Sequence, residues 1–272
     1  MEKSENSTCL TRLSRLRYPA PPMLAVISPA KSLDYKSPHQ PLPPSRPAFE
    51  ADAVNLARAA AKMPAAKLRE LMHISDSLAE LNAERFRGFD GAPARPAIFA
   101  FAGDVYMGFE VKSLEEEAIL YAQDHLRILS GLYGLLRPLD EIRPYRLEMG
   151  TKWAPRRKSL YAWWNDRIAT RLAADAEAAG GTIVNLASKE YWAAVAGKLP
   201  AGLRVIEIDF REDGPDGLRF NTFAAKRARG MMARHICEHR IEHPEALKHF
   251  DSDGYAFDPE GSTTESWRFR RS

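Results

Sequence analysis

The hydrophobic and polar positions along this chain change period several times, and each change predicts an element. Met23 to Ile27 is an unbroken apolar run of strand length. Five prolines between Ser37 and Pro47 then exclude regular structure and predict a surface linker. Phe49, Ala53, Leu56, Ala60 and Met63 recur at helical spacing, and Pro64 breaks that helix and opens the next. Two short helices follow, Ala65 to Met72 and Asp76 to Phe86, joined through His73, Ile74 and Ser75, with Ser75 as N-cap. The pair forms an αα-hairpin.

Further along, Pro96 to Phe101 reads as a buried strand and Ser113 to Ser130 as a helix capped by Ser113, its early glutamates favouring the positive end of the helix dipole. Tyr161 to Ala179 reads as an amphipathic helix, Thr182 to Leu186 as a strand and Lys189 to Ala196 as a short helix. Leu203 to Arg211 and Leu218 to Phe223 alternate around a Gly- and Asp-rich turn, which predicts a hairpin. Ala224 to Glu242 is the last long helix, and Trp267 to Arg271 adds an edge strand. Strands and helices interleave without a βαβ repeat or internal duplication. The expected class is α+β, a single irregular domain of mixed α and β content spanning residues 23–272.

Composition narrows the function classes. The chain has 272 residues, 45% of them apolar, which suits a folded protein with a substantial core. No run approaches the ~20 apolar residues of a membrane helix, so no membrane partner is expected. Cys9 and Cys237 permit neither a disulfide framework nor a CxxC clip, and a reducing, cytoplasmic setting follows as the default. Cys237 is expected to be half-buried in its helix. Residues 1–22 combine Ser, Thr, Arg and prolines without the apolar heart of a secretory signal, and are expected to be a disordered extension preceding an original start at Met23. The formal charge is only +3, so the total says nothing about nucleic acid and clustering must decide.

Clusters do exist. Residues 137–167 hold eight basic and four acidic side chains, and residues 219–240 hold six and one. Lys226, Arg227 and Arg229 share a turn of the last helix, where they form either a solvated face or a grip on phosphates. Arg137, Arg143 and Arg146 lie on turns beside Pro and Gly, where a guanidinium is held for bidentate phosphate contact or pairs internally with Asp140 or Glu148. Lys31, just past the first strand, sits where open sheets contact ligands. His235, Glu238 and His239 match H-x-x-E-H, with His243 at the same spacing, but such a run arises easily on a polar helix and a solvent-exposed face is expected rather than a metal site. There is no Gly-rich phosphate loop and no nucleophile elbow, so no cofactor is expected.

Several blocks taken together resemble one family: Ser28-Pro29-Ala30-Lys31, Gly103-Asp104-Val105-Tyr106, Leu126 to Asp140, Pro144 to Gly150, Asn185 to Tyr191, and Ala225 to Met231. In this order, and over about Met23 to Phe257, they look like the YaaA peroxide stress proteins. The resemblance implies a cytosolic protein that limits damage by hydrogen peroxide and loosely bound iron. It also implies DNA binding through a positively charged cleft and a helix-hairpin-helix element, which here corresponds to Ala65 to Phe86. That turn lacks glycine, so Arg69, His73, Ser75 and the second helix's N-terminus are left to make its contacts.

Two functions are therefore expected in competition. In the first, Arg69, His73, Ser75, Arg137, Arg143, Arg146, Lys226, Arg227 and Arg229 hold double-stranded or branched DNA by its phosphates, largely without reading sequence, and the protein works as a monomer. In the second, Lys31, Asp104, Tyr106, Arg146, Glu148 and Asn185 line one pocket of an enzyme acting on a nucleotide or phosphorylated metabolite, with Asp104 or Glu148 as general base.

Overall fold

The computed structural model describes residues 23–215 and 217–272; the expected extension 1–22 lies outside them. The first strand is β1 (Leu24–Ile27), followed by the short β2 (Ser32–Leu33). Helices α1 (Glu50–Ala60), α2 (Ala65–Met72) and α3 (Asp76–Arg87) come next, then β3 (Arg95–Pro96), α4 (Ala97–Ala100), β4 (Phe101–Ala102), α5 (Asp104–Phe109) and α6 (Glu116–His125). The middle of the chain supplies β5 (Leu126–Ser130), β6 (Gly134–Leu136), β7 (Glu141–Ile142), α7 (Leu160–Trp164), α8 (Arg167–Ala178), β8 (Thr182–Leu186) and α9 (Lys189–Trp192). It closes with β9 (Arg204–Gly214), β10 (Gly217–Arg219), α10 (Thr222–Glu238), β11 (Tyr255–Asp258) and β12 (Ser266–Arg271).

One eight-stranded sheet organises the domain, in the order β11-β12-β9-β8-β1-β5-β6 with β10 beside β9. Its centre is parallel: β1 pairs β5 and β8, β8 pairs β9, and β9 pairs β12. The flanking pairs β5/β6 and β11/β12 are antiparallel. Strands covered on both faces read as continuous apolar runs, and β1, β5 and β8 are buried at every residue. The molecule is thus a single mixed α/β domain. The β8-α9-β9 connection is a parallel crossover, a βαβ unit that the reading of the sequence did not single out.

Other departures have local causes. Pro96 to Phe101 is not a strand but one buried helical turn, α4, between two short strands; an apolar run this short does not distinguish the two. The expected helix Ser113 to Ser130 divides: α6 is preceded by a turn containing Ser113, Glu115 takes the N-cap position without a side-chain bond, and the chain turns extended at Leu126 to become β5. Tyr161 to Ala179 also divides, at Asn165, whose φ of 47° no helix accommodates. β10 stops at Arg219 because Asn221 caps α10 by accepting from Phe223 and Ala224 N–H. The strand at Trp267 is interior, since β11 lies outside it. Cys237 is fully buried. The Pro-rich linker is strapped to the body by Ser45, whose hydroxyl donates to Asp140 at 2.6 Å.

Candidate functional site

The carboxyl edge of the parallel strands carries the densest chemistry. From β1 the chain proceeds to the β5 side of the sheet, whereas from β8 it proceeds to β9 on the opposite side. The crevice between the ends of β1 and β8 is therefore a topological switch point, the place where open α/β sheets take ligands. Its two lips are locked together: Ser28 Oγ accepts the Ser188 N–H at 2.8 Å and donates to Ser188 Oγ at 3.3 Å. Tyr106 OH donates to the Ser28 carbonyl at 3.2 Å.

Above this edge, Arg146 pairs with Glu148 at 2.9 Å, and Lys31 approaches the same carboxylate at 3.7 Å. The second carboxylate oxygen of Glu148 is buried and has no hydrogen-bond partner among the described residues. Tyr145 and Tyr191 line the same small cavity, which has room for about one water. Burial pushes the phenol pKa of Tyr106, Tyr145 and Tyr191 well up, so these rings act as hydrogen-bond donors, not as anions. Lys31, Tyr106, Arg146 and Glu148 thus gather at one edge. Asn185 is directed elsewhere, donating to Glu207 at 2.6 Å and accepting the Ala187 N–H. Desolvation raises the Glu207 carboxyl pKa against the opposing pull of Asn185 and Arg229. Asp104 sits 3.7 Å from Lys226.

The basic residues are spread more widely. α5 and α10 cross through Gly108 and Gly230, where a Cβ on Gly230 would lie 1.8 Å from the Val105 carbonyl oxygen. This contact brings Arg227 to the edge of a cavity beside α5 and Lys226 close to Asp104. Arg227 is exposed and, among the described residues, has no hydrogen bond or ion pair. Arg229 points inward toward Glu207 and Asp209, its Nε without a partner among the described residues and its pKa lowered chiefly by desolvation. Arg143 stacks over Phe89, 5.8 Å from the ring centroid. Arg137 lies at the amino edge of the sheet, bonded to Asp124 at 2.6 Å and to the Gln123 carbonyl. In the α2–α3 hairpin, Arg69 pairs with Asp76 at 2.9 Å, and Ser75 Oγ caps α3 at Leu78 N–H. His73 supplies the left-handed turn residue (φ 51°), a conformation that favours glycine.

Sequence reasoning did not single out Glu207, Arg219, Phe220 and Phe223. Phe220 and Phe223 stand exposed at 47% and 71% around the start of α10. Arg211 lies over the Phe220 ring and Lys226 over the Phe223 ring. The available signal was two aromatics interleaved with Arg219, Lys226 and Arg227, masked because they fell at the end of a predicted strand.

The sequence profile of one family, described as peroxide stress protein YaaA, matches residues 23–261. The chain belongs to this family. Its relatives include a UPF0246 protein of Rhizorhabdus wittichii, 62% identical over 249 residues, with 91% of this chain and 98% of the relative covered. UPF0246 proteins of Jannaschia sp. and Caulobacter vibrioides are 50% and 49% identical, each match covering 92% of this chain. Within this YaaA-family chain, the H-x-x-E-H side chains divide between packing and solvent. His235 packs against Phe250 at 5.5 Å, while Glu238 and His239 are exposed. Among the described residues no group of three His, Cys, Asp or Glu side chains is placed to hold a metal ion.

Proposed function

We propose that this YaaA-family peroxide stress protein binds DNA by its phosphates, and that DNA held in this way suffers less damage from peroxide and loosely bound iron. The observation that carries the reading is the surface at the start of α10. There Lys226 and unpaired Arg227 flank the exposed rings of Phe223 and Phe220. Cations that contact phosphate beside rings that stack on bases suit junctions and partly unpaired strands as well as duplex. The α2–α3 hairpin is the second contact, a helix-hairpin-helix element with His73 and Arg69 at its exposed turn. Arg143 and Arg146 also belong to the proposed set, although Arg143 lies over Phe89 and Arg146 is paired with Glu148. Arg137 and Arg229 belong to the proposed set as well, although Arg137 is already bonded to Asp124 and Arg229 points inward.

The test is fluorescence anisotropy of labelled duplex and four-way junction DNA at rising salt. Affinity is expected to fall by orders of magnitude between roughly 50 and 200 mM salt. Lys226→Ala with Arg227→Ala should reduce the logarithmic salt slope by about 2, one contact for each charge removed. Absent or salt-insensitive binding overturns the reading.

The switch-point crevice supports a second reading, an enzyme acting on a nucleotide or phosphorylated metabolite; its cavity holds about one water, so the substrate would lie across the rim, beside exposed Lys31. Glu148, with one oxygen unpartnered among the described residues, is its general base, and Lys31 and Arg146 are its anion contacts. Under this reading Lys31→Ala removes peroxide protection in cells while leaving DNA affinity intact. Loss of both together, or of neither, refutes it.

A further inference from the structure

Beyond DNA, the cleft between the β4–α5 segment, the turn after α5 and the start of α10 has the character of a small-molecule site. It encloses about 700 Å³, within the range of ligand pockets, and Phe99, Phe101, Met107 and Val111 supply much of its wall. Its charged groups are unequal. Asp34 accepts backbone N–H bonds from Lys36 and Ser37 and is met by Lys112 at 3.3 Å. Glu110 faces Arg234 at 3.9 Å, and Arg234 is also held by Glu238. Arg227 alone among these has no hydrogen bond or ion pair within the described residues, and it stands at the rim of an apolar cavity. A guanidinium so placed binds a carboxylate bidentately. Asp34 and Glu110 on the same rim are matched by Lys112 and Arg234, so Arg227 leaves the cleft one unanswered positive charge, suited to a single negative charge on the occupant.

From this arrangement we infer that the cleft binds a small organic monocarboxylate, its aromatic or aliphatic body against Phe101, Met107 and Val111 and its carboxylate on Arg227. A dianion exceeds the single charge the cleft leaves open, and a neutral ligand leaves Arg227 unanswered. The inference does not depend on the DNA reading. It assigns Arg227 a ligand that is recognised by shape as well as by charge.

The experiment uses the full chain with three probes of matched body: 4-phenylbutyrate, 3-phenylpropyl phosphate and 4-phenyl-1-butanol. Each is titrated by calorimetry and ligand-observed NMR. The carboxylate is expected to bind most tightly, the phosphate more weakly, and the alcohol about tenfold more weakly than the carboxylate or worse. Arg227→Gln should weaken the carboxylate about tenfold or more and leave the alcohol unchanged. Met107→Asp, at a position 57% exposed, should abolish binding of all three while the melting temperature stays near the wild-type value. No binding of the carboxylate overturns the inference. So does equal or tighter binding of the phosphate or the alcohol, or an Arg227→Gln protein that retains full carboxylate affinity.

Discussion

The contact between α5 and α10 offers the sharpest test of how this surface is built. In an isolated helix, Gly230→Ala gains about 1 kcal/mol of helix propensity. Here the added Cβ would meet the Val105 carbonyl oxygen at 1.8 Å and the Phe109 nitrogen at 2.8 Å, both of them backbone atoms that cannot rotate away. The helices must separate by roughly an ångström or more, which loosens the packing of Val105, Phe109, Ala228 and Met232, all buried. Overpacking of this kind costs about 1–3 kcal/mol, occasionally more, and because rigid backbone receives the clash, the upper end is expected after the propensity gain is subtracted. A net loss of roughly 2–3 kcal/mol corresponds to a fall in melting temperature of roughly 5–10 °C for a chain of this size. Urea denaturation followed by circular dichroism reads the first quantity, and calorimetry the second. The displaced helix also carries Lys226 and Arg227 with it, so DNA affinity should fall although no charge is removed. An alanine variant as stable as the wild type, or more stable, would refute the close crossing and the placement of both cations.

Further outcomes follow from single features. Removing Glu148 by Glu148→Ala leaves Arg146 with no carboxylate where only 14% of its side chain reaches solvent, and should cost about 3 kcal/mol by urea denaturation. The double variant Arg146→Met with Glu148→Leu should recover most of that; if it is no better than the single variant, the ion pair is not what matters there. His125 donates from Nδ1 to the Tyr121 carbonyl while its buried Nε2 has no partner among the described residues, and desolvation depresses its pKa below the ordinary value of about 6.5, favouring the neutral ring. The unfolded chain then binds a proton that the native one refuses, so stability is lost as pH falls below about 6.5, by at most about 1.4 kcal/mol per pH unit from this one group. In His125→Phe the acid slope should flatten by about one proton, and an unchanged slope counts against the assignment. Asn165, at φ 47° and ψ −119°, occupies backbone space that suits glycine, so Asn165→Gly should raise stability by roughly 0.5–1 kcal/mol in thermal unfolding.

What the sequence disclosed follows from how completely each element expresses one period. β1 and β8 were legible because strands buried on both faces are apolar throughout and are bounded by turn residues. β5 was hidden because no glycine or proline separates it from α6, so Leu126, Ile128 and Leu129 continued an apparent helical stripe. Arg127, a charge inside that strand, strengthened the illusion; its partner Asp175 lies far along the chain, at 2.6 Å in space. α4 was misread for want of length. At the carboxyl edge, Lys31 was found from its position after a strand, and Arg146 with Glu148 from proximity in sequence. Glu207 gave no signal, since an alternating strand shows an outward glutamate at any ordinary surface position. The lock between Ser28 and Ser188 spans 160 residues and depends on the order of strands in the sheet.

The position of β12 bears on how this chain reaches its native form. It is synthesised after both of its neighbours, yet it is inserted between β9 and β11, and among the described residues β11 has no other partner in the sheet. While the polypeptide is still emerging, β9 therefore presents a bare rim of amide and carbonyl groups, and β11 has nothing to join. The nascent protein passes through an interval in which any extended segment nearby, including one from another copy, is a competitor for that slot.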